Sequence, residues 1–420
     1  MTATDPKHPR VLMLGWEFPP FITGGLGTAC HGLTQALSQA GVPITFVLPT
    51  AVEPGQASHV NLLGAEPPAP LPSPTRDMPG VTFKTVPAQF RSPYPAATQP
   101  MTPHAIHASS NPPAIGYHSD LVDQSRRYAQ RCLALARDLD FDLIHAHDWL
   151  TYAGGVAIMG ATGKPLIAHV HSTEFDRSGN EGQPAIIAAE QRGLRAATRV
   201  ICVSHMTARQ VAYRYDVPAD RIDVVHNGIA SRPNQELLSS RRHDKIVLFM
   251  GRITMQKGPE YFVDAARKVL EQDENVTFLV AGTGDQMANT IEQVAQSNIG
   301  HKVLFTGFLE PEQVQQVLGM ADVFVMPSVS EPFGIAALEA VDRGVPVIVS
   351  KTAGVSEVVR HLLKVDFWDI HDMANKILGV LRHPPLGQTM ARHAKRELVG
   401  LTWEHAAQNC LAVYQHALDD

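Results

Sequence analysis

The sequence has no uninterrupted apolar run that approaches the roughly 20 residues needed to cross a bilayer. Its first ten residues include two prolines and lack the apolar centre of a signal peptide. Cysteine is scarce, and the four thiols form no CxxC pair, which disfavours both a disulfide framework and a cysteine zinc site. We therefore expect a cytoplasmic protein without stable membrane insertion and with reduced cysteines. They are Cys30, Cys132, Cys202 and Cys410.

A strong charge of one sign is also missing. The chain has 35 lysines and arginines against 41 aspartates and glutamates, so its net charge is −6 and it lacks the basic surface typical of nucleic-acid binding. What is present is a globular composition, 44% hydrophobic and 18% charged. Because the chain has 420 residues, it is long enough for two domains of ordinary size.

Two glutamates eight positions apart organise the rest of the sequence. Before them, residues 322–327 form an apolar run that predicts a buried parallel strand ending at a proline. After them, residues 336–343 predict a helix that is followed by a glycine. Glu331 therefore lies on the loop at the carboxyl end of a strand. Glu339 lies about one turn inside the next helix.

The start of this helix is suited to an anion. Its first backbone N–H groups have no partner within the helix, and the helix dipole is positive there, which favours a phosphate group. The residues at this start are Phe333, Gly334 and Ile335. Recognition of sugar or ribose hydroxyls would explain carboxylates beside such a site. The alternative interpretation is a solvated acidic loop followed by an ordinary helical glutamate.

A second anion site is predicted after the apolar strand at residues 245–250. There, residues 251–258 form a loop bounded by glycines, with Arg252 and Lys257 five positions apart, and a helix begins at Pro259. Two fixed cations beside a helix start are suited to stabilising a departing diphosphate. Unrelated surface cations are the alternative.

The N-terminal part opens with a strand at residues 10–15, a glycine loop, a helix and a second strand at residues 42–48. This order predicts a doubly wound α/β domain. The loop contains Gly24, Gly25 and Gly27, which let a backbone approach a phosphate or sugar closely, although a structural tight turn is the alternative. It is not GxGxxG and no acidic residue follows at the dinucleotide spacing, so a nicotinamide site is not expected.

Polar side chains follow two further predicted strands of this domain. One strand carries His145 and His147 on a single face and is followed by Asp148, and the next strand is followed by His171. Active sites of open α/β sheets lie at the carboxyl ends of the strands, so we expect Asp148 and His171 at the site. Metal binding by the first two histidines, which have no third ligand nearby in the sequence, and a structural role for His171 are the alternatives.

Four of these elements resemble those of known glycosyltransferases. The Glu-x7-Glu stretch resembles the signature of retaining nucleotide-sugar glycosyltransferases of family 4. The Gly-Gly-Leu loop and the His-x-His-Asp-Trp run resemble those of glycogen and starch synthases, and the Gly-Arg-x4-Lys-Gly loop resembles the diphosphate-gripping element of the superfamily. Ile22 and Thr28 depart from the starch-synthase pattern, which has lysine and aspartate there. The order of the elements resembles the α/β GT-B fold, which implies two facing Rossmann-like domains with an interdomain active-site cleft.

The resemblance implies a role for each candidate residue. It implies that Glu331 holds the donor sugar, that Glu339 holds the ribose, and that both cations hold the diphosphate. The implied catalytic residues are His171, Asp148, Arg252, Lys257 and Glu331. The implied donor-binding residues are Gly24, Gly25, Gly27, Arg252, Lys257, Leu309, Glu331, Phe333, Gly334, Ile335 and Glu339.

The same resemblance sets the expected domain organisation. Residues 1–235 form the N-terminal, acceptor-side domain, and residues 236–401 form the nucleotide-sugar-binding domain. Residues 402–420 form a helix that crosses back to the first domain. A proline-rich insertion at about residues 53–116 predicts a surface loop with one strand at residues 81–86.

The resemblance implies a retaining glucosyltransferase that moves glucose from ADP- or UDP-glucose to an α-1,4-glucan. No metal cofactor is expected, because the two cations and the helix dipoles can stabilise the diphosphate. One alternative is a family 4 enzyme that acts on a lipid, a cell-wall precursor or a small molecule. The other is a non-transferase on the same fold, such as a nucleotide-sugar epimerase or a catalytically inactive glycan-binding module. The presence of both cations and both glutamates argues against an inactive module. The donor base, the linkage and the oligomeric state stay open at this point.

Overall fold

The computed structural model of the chain describes residues 8–18, 24–49, 81–85, 119–230 and 244–420, with the backbone alone at 81–85 and 119–120. Ile22, the proposed boundary between residues 235 and 236, and most of the proline-rich insertion lie outside the described residues. The one strand predicted within that insertion is described and runs from Val81 to Thr85.

The first of two parallel sheets has seven strands in the order β3-β2-β1-β4-β5-β6-β7. Its strands are β1 (Val11–Leu14), β2 (Ile44–Leu48), β3 (Val81–Thr85), β4 (Leu143–His147), β5 (Leu166–Val170), β6 (Arg199–Cys202) and β7 (Ile222–Val224). Its helices are α1 (Gly25–Gln39), α2 (Ser119–Ala136), α3 (Trp149–Thr162), α4 (Glu174–Ser178), α5 (Pro184–Ala196) and α6 (His205–Tyr215).

The second sheet has six parallel strands in the order β10-β9-β8-β11-β12-β13. Its strands are β8 (Lys245–Met250), β9 (Val276–Ala281), β10 (Val303–Gly307), β11 (Val323–Met326), β12 (Val347–Ser350) and β13 (Leu363–Val365). The helices in the same stretch of the chain are α7 (Pro259–Leu270), α8 (Met287–Gln296), α9 (Pro311–Met320), α10 (Ile335–Asp342), α11 (Ile370–Arg382), α12 (Pro384–Glu397) and, after the second domain, α13 (Trp403–Asp419).

The central strands are apolar throughout because helices cover both faces of each sheet. Every residue of β1, β5 and β11 is buried, which is the pattern expected of parallel strands packed on both sides. Each sheet accordingly has two hydrophobic clusters, one on either face. Within the described ranges, no helix is long and apolar enough to cross a membrane.

The last helix, α13, packs against α1 of the first domain. Trp403 lies so close to Gly32 that a Cβ there would overlap the indole ring. Thr402 begins the helix by accepting a hydrogen bond from the backbone N–H of His405 at 3.2 Å. Tyr414 is fully buried in the same hydrophobic cluster as the residues of α1.

The order of the strands places the functional loops at the middle of each sheet. In the first sheet β1 lies between β2 and β4, and in the second β8 lies between β9 and β11. Ligands of open α/β sheets bind where the strand order reverses in this way. The predicted glycine, histidine, cation and glutamate loops follow β1, β4, β5, β8 and β11. The predicted GT-B fold of two Rossmann-like domains is therefore confirmed.

Candidate active site

The loop that follows β8 carries Arg252, and a neighbouring glycine loop holds its backbone. Two backbone hydrogen bonds, of 3.0 and 2.9 Å, join it to residues 281–283. A Cβ atom on Gly282 or Gly284 would overlap carbonyl oxygens of the arginine loop, so both positions need glycine. The two glycines thus fix the backbone that carries the arginine, a role that the local sequence does not reveal.

Lys257 and Glu331 form an ion pair with 2.6 Å between Nζ and Oε2. The same carboxylate oxygen accepts a hydrogen bond from the Ser328 hydroxyl at 3.1 Å. Gly258 turns the chain with a φ of 66°, and a Cβ atom on it would overlap the carbonyl oxygen of Pro327. The loops after β8 and β11, which are neighbours in the sheet, thus bring a predicted diphosphate ligand and a predicted sugar ligand together.

The N-terminus of α10 lies directly after Glu331. Gly334 precedes the helix with a φ of 109°, in the left-handed region that favours glycine. Glycine offers no capping side chain, and the N–H of Ala337 donates to the Gly334 carbonyl at 3.1 Å. The N–H groups of Ile335 and Ala336, which precede it at the start of the helix, are the ones suited to a ligand. Phe333 is buried beside this start and Glu339 is half-buried one turn further on. The helix begins one residue earlier than the sequence pattern predicted.

The glycine loop of the first domain contacts Arg252 directly. A Cβ atom on Gly24 would lie 2.5 Å from Nη2 of Arg252, so the guanidinium rests on the backbone there, whereas one on Gly25 would meet no atom within 4 Å. Glu17, only 3% exposed, places Oε1 at 3.8 Å from the same Nη2. Its Oε2 accepts a hydrogen bond from the Gly27 N–H at 3.3 Å. The sequence pattern did not indicate Glu17, whose one signal is an acidic residue shortly after a buried strand.

Asp148 supports the loop that carries His171. It lies between β4 and α3 with a φ of 58°, an uncommon conformation for a residue other than glycine. Its Oδ1 accepts hydrogen bonds from the backbone N–H groups of His171 at 2.7 Å and Ser172 at 3.4 Å. Burial raises the pKa of Asp148 to about 7, although these hydrogen bonds oppose the rise. Asp148 therefore supports the backbone of the histidine that was predicted to be catalytic.

Three buried histidines and the half-buried His171, at the ends of β4 and β5, form two hydrogen-bonded pairs. Nε2 of His145 lies 3.0 Å from Nδ1 of His169, and Nδ1 of His147 lies 2.9 Å from Nε2 of His171. The hydroxyl of Tyr414, near the end of the chain, lies 2.7 Å from Nδ1 of His145. Burial lowers the pKa of all four, to about 3 for His145 and His171, so the rings are neutral at neutral pH.

The four rings do not fit a metal ion well, although ligand atoms in two groups of three lie within 4.8 Å of one another. Rings on one strand stack at 4.2–4.3 Å with interplanar angles of 20–24°, which directs their lone pairs side by side rather than toward a common centre. Cys30 belongs to one group, but burial raises the pKa of its thiol, which stays protonated. Nδ1 of His171 has no hydrogen-bond partner within the described part of the chain.

Two further polar contacts join the domains beside the site. The Ser330 hydroxyl, next to Glu331, donates to Oδ1 of Asp176 at 2.6 Å. The carboxylate of Glu357 accepts hydrogen bonds from the backbone N–H groups of His205 and Met206, both at 2.8 Å, and so caps α6 of the first domain. These contacts hold the loops of the two sheets against each other.

Leu309 is the remaining predicted donor residue. It follows β10, the edge strand of the second sheet, and packs partly buried against a hydrophobic cluster. Phe308 beside it is 58% exposed. The implied binding of the donor by Leu309 stays a prediction.

Two Rossmann-like domains whose central loops meet around two cations, two glutamates and a helix start define a GT-B enzyme that transfers a sugar from a nucleotide-sugar donor. Comparisons with known proteins agree. Residues 92–231 match the family model described as Glycosyltransferase Family 4, and residues 234–397 match the one described as Glycosyl transferases group 1.

Three known proteins show the extent of the similarity. The glycogen synthase of Mycobacterium tuberculosis is 26% identical over 96% of this chain and 94% of its own length. The D-inositol 3-phosphate glycosyltransferase of Mycolicibacterium smegmatis is 30% identical over 67% of this chain and 68% of its own length. The structure of sucrose-phosphate synthase from Thermosynechococcus elongatus, at 20% identity, superposes with a TM-score of 0.75 over 97% of this chain and 99% of that one. The chain belongs to the GT-B glycosyltransferases of the family 4 type.

Proposed function

We propose that this glycosyltransferase is a retaining glucosyltransferase that moves glucose from ADP- or UDP-glucose to an α-1,4-glucan in the cytoplasm. The observation that carries the proposal is the Lys257–Glu331 pair beside the start of α10, since it joins a charge suited to a diphosphate with a carboxylate suited to sugar hydroxyls. Four free cysteines are in keeping with a reducing compartment. The glucan acceptor is supported by the nearly end-to-end similarity to a glycogen synthase.

In this proposal each residue of the cleft binds or stabilises a different part of the donor. Arg252, Lys257 and the start of α10 stabilise the diphosphate as its bond to the anomeric carbon breaks. Glu331 orients the sugar and Glu339 binds the ribose. The neutral ring of His171 has Nδ1 available for a sugar hydroxyl.

The new bond forms on the face from which the diphosphate departs, so the anomeric configuration is retained. The acceptor hydroxyl attacks the anomeric carbon, and its proton passes to an oxygen of the departing phosphate. The two cations and the helix start supply the positive charge that the leaving group needs, so the proposal requires no metal ion.

A small-molecule acceptor is the second candidate. It is favoured by the relative named D-inositol 3-phosphate glycosyltransferase, which has the higher identity but matches only about two thirds of the chain. The glycogen synthase matches 96% of it, and for that reason the glucan is proposed first.

The test measures nucleotide release by the purified protein. ADP-glucose and UDP-glucose are each offered alone, then with glycogen, with short malto-oligosaccharides, with inositol 3-phosphate and with lipid vesicles. Release stimulated by the two glucans and abolished in Lys257→Ala supports the proposal. Stimulation by inositol 3-phosphate or vesicles alone would replace it with the corresponding alternative.

A further inference from the structure

Glu17 lies on the first domain, yet its carboxylate is directed at Arg252, a predicted diphosphate ligand of the second domain. We propose that Glu17 is a positioning residue that aligns Arg252 across the cleft for the departure of the nucleotide. This proposal rests on the proposed transfer from a nucleotide-sugar, but it is independent of the acceptor.

The first observation is the burial of both charges. Glu17 is 3% exposed, and the side chain of Arg252 is 16% exposed. A buried carboxylate is costly unless opposite charge or hydrogen bonds compensate it. Oε1 lies 3.8 Å from Nη2 of Arg252, and Oε2 accepts the N–H of Gly27 in the first turn of α1. One carboxylate thus links the helix that begins at the glycine loop to the arginine of the other domain.

The second observation is that the guanidinium lies close to two residues of the first domain. A Cβ atom on Gly24 would lie only 2.5 Å from Nη2. Glu17 flanks the same nitrogen. The arginine loop itself is held by backbone contacts to Gly282 and Gly284, but these do not orient the long side chain.

An arginine side chain loses considerable rotamer entropy when it is held in one geometry. If Gly24 and Glu17 hold it before the diphosphate departs, less ordering is needed in the transition state. Because both holding residues belong to the first domain, the arginine is aligned only while the domains are in contact. Alignment of a charge for the transition state raises kcat more than it tightens binding of the free nucleotide.

The test begins with Glu17→Gln, which removes the charge and keeps an oxygen for the Gly27 N–H. We expect kcat for transfer from the preferred donor to fall about tenfold, with no weakening of UDP or ADP binding measured by calorimetry. Gly24→Ala, which crowds the same guanidinium nitrogen while Glu17 is intact, should also lower kcat. It also serves if the Glu17 variant does not fold. An unchanged kcat, or nucleotide binding that weakens in parallel with kcat, would overturn the proposal.

A double-mutant cycle shows whether Glu17 acts through Arg252. In the Arg252→Lys background, Glu17→Gln should change kcat by less than about twofold, because the guanidinium it aligns is gone. Glu357→Gln is the matched control, since Glu357 also bridges the domains but does so by capping the start of α6. Its effect should add to that of Arg252→Lys. If the effects of Glu17→Gln and Arg252→Lys on kcat were additive, the proposal would be contradicted.

The outcome does not depend on which acceptor the enzyme uses. The cycle can be measured on hydrolysis of the nucleotide-sugar by water if no acceptor in the panel stimulates release. A wild-type protein that neither transfers nor hydrolyses any of the donors refutes the proposed function. Active wild type with an unaffected Glu17 variant refutes only the alignment.

Discussion

Acidification from pH 6.5 to pH 5 should destabilise the protein through its buried histidines. Burial lowers the pKa of His145 and His171 to about 3 and lowers that of His147 and His169 as well. The unfolded chain therefore binds protons below its ordinary histidine pKa of about 6.5, while the folded protein does not. The stability that these four groups contribute is present above about pH 6.5 and is lost as the pH falls toward 3.

Two buried acids act in the opposite direction. Burial raises the pKa of Asp148 and of Glu190 to about 7, so near pH 5.5 the folded protein holds two protons that the unfolded chain has released. About four protons taken up by the unfolded histidines, less about two held by the folded acids, leaves a net uptake of about two on unfolding. At about 1.4 kcal/mol per proton, the free energy of unfolding should fall by about 3 kcal/mol per pH unit.

The assay is urea unfolding followed by circular dichroism in steps from pH 5 to pH 6.5. His145→Gln should reduce the slope by about one proton, whereas Glu190→Gln should increase it by about one, because it removes an opposing group. Both side chains lie outside the set of predicted donor ligands. A slope near zero in the wild type, or the same slope in His145→Gln, would refute the assignment of neutral buried histidines.

Three further predictions concern the cleft. Arg252→Ala and Lys257→Ala should each lower kcat/KM about 10²-fold or more, since one preorganised charge contact is worth roughly 3 kcal/mol in a transition state; unchanged turnover by a folded variant would contradict this. Glu339→Gln should weaken free nucleotide binding in calorimetry, whereas Glu331→Ala should impair sugar transfer and leave free nucleotide binding unchanged. If instead Glu331→Ala weakened nucleotide binding and Glu339→Gln did not, the two assigned roles would have to be exchanged. Activity should survive EDTA, because the cations and the start of α10 serve the diphosphate, and loss that Mg²⁺ or Mn²⁺ restores would show a metal requirement.

Much of the fold follows from local patterns in the sequence. Apolar runs predicted the central strands, and β8 has the predicted limits. Pro259 correctly marks the start of α7. Other elements differ by a residue or two at their ends, as for β2, which begins at Ile44 rather than residue 42. Helix and strand ends depend on caps and on contacts with neighbours, which a local pattern does not contain.

The site was predictable where one loop carries its own signal and not where distant segments meet. Lys257 and Glu331 each lie on a loop that follows an apolar strand, so the sequence indicated both residues. It did not indicate that they form an ion pair. Glu17 has no comparable signal, because its role depends on Arg252 in the other domain. The alternation of histidines on β4 predicted a shared face, but the hydroxyl that bonds His145 comes from Tyr414 on the last helix.

We propose above that the Lys257–Glu331 cleft passes glucose to an α-1,4-glucan. The most direct test of this claim is transfer from radiolabelled ADP-glucose and UDP-glucose in mixtures that contain glycogen, inositol 3-phosphate and polyprenyl-phosphate vesicles. We predict that label enters glycogen and that an α-1,4-specific amylase releases it. Label found only in inositol 3-phosphate or in the organic phase would contradict the claim.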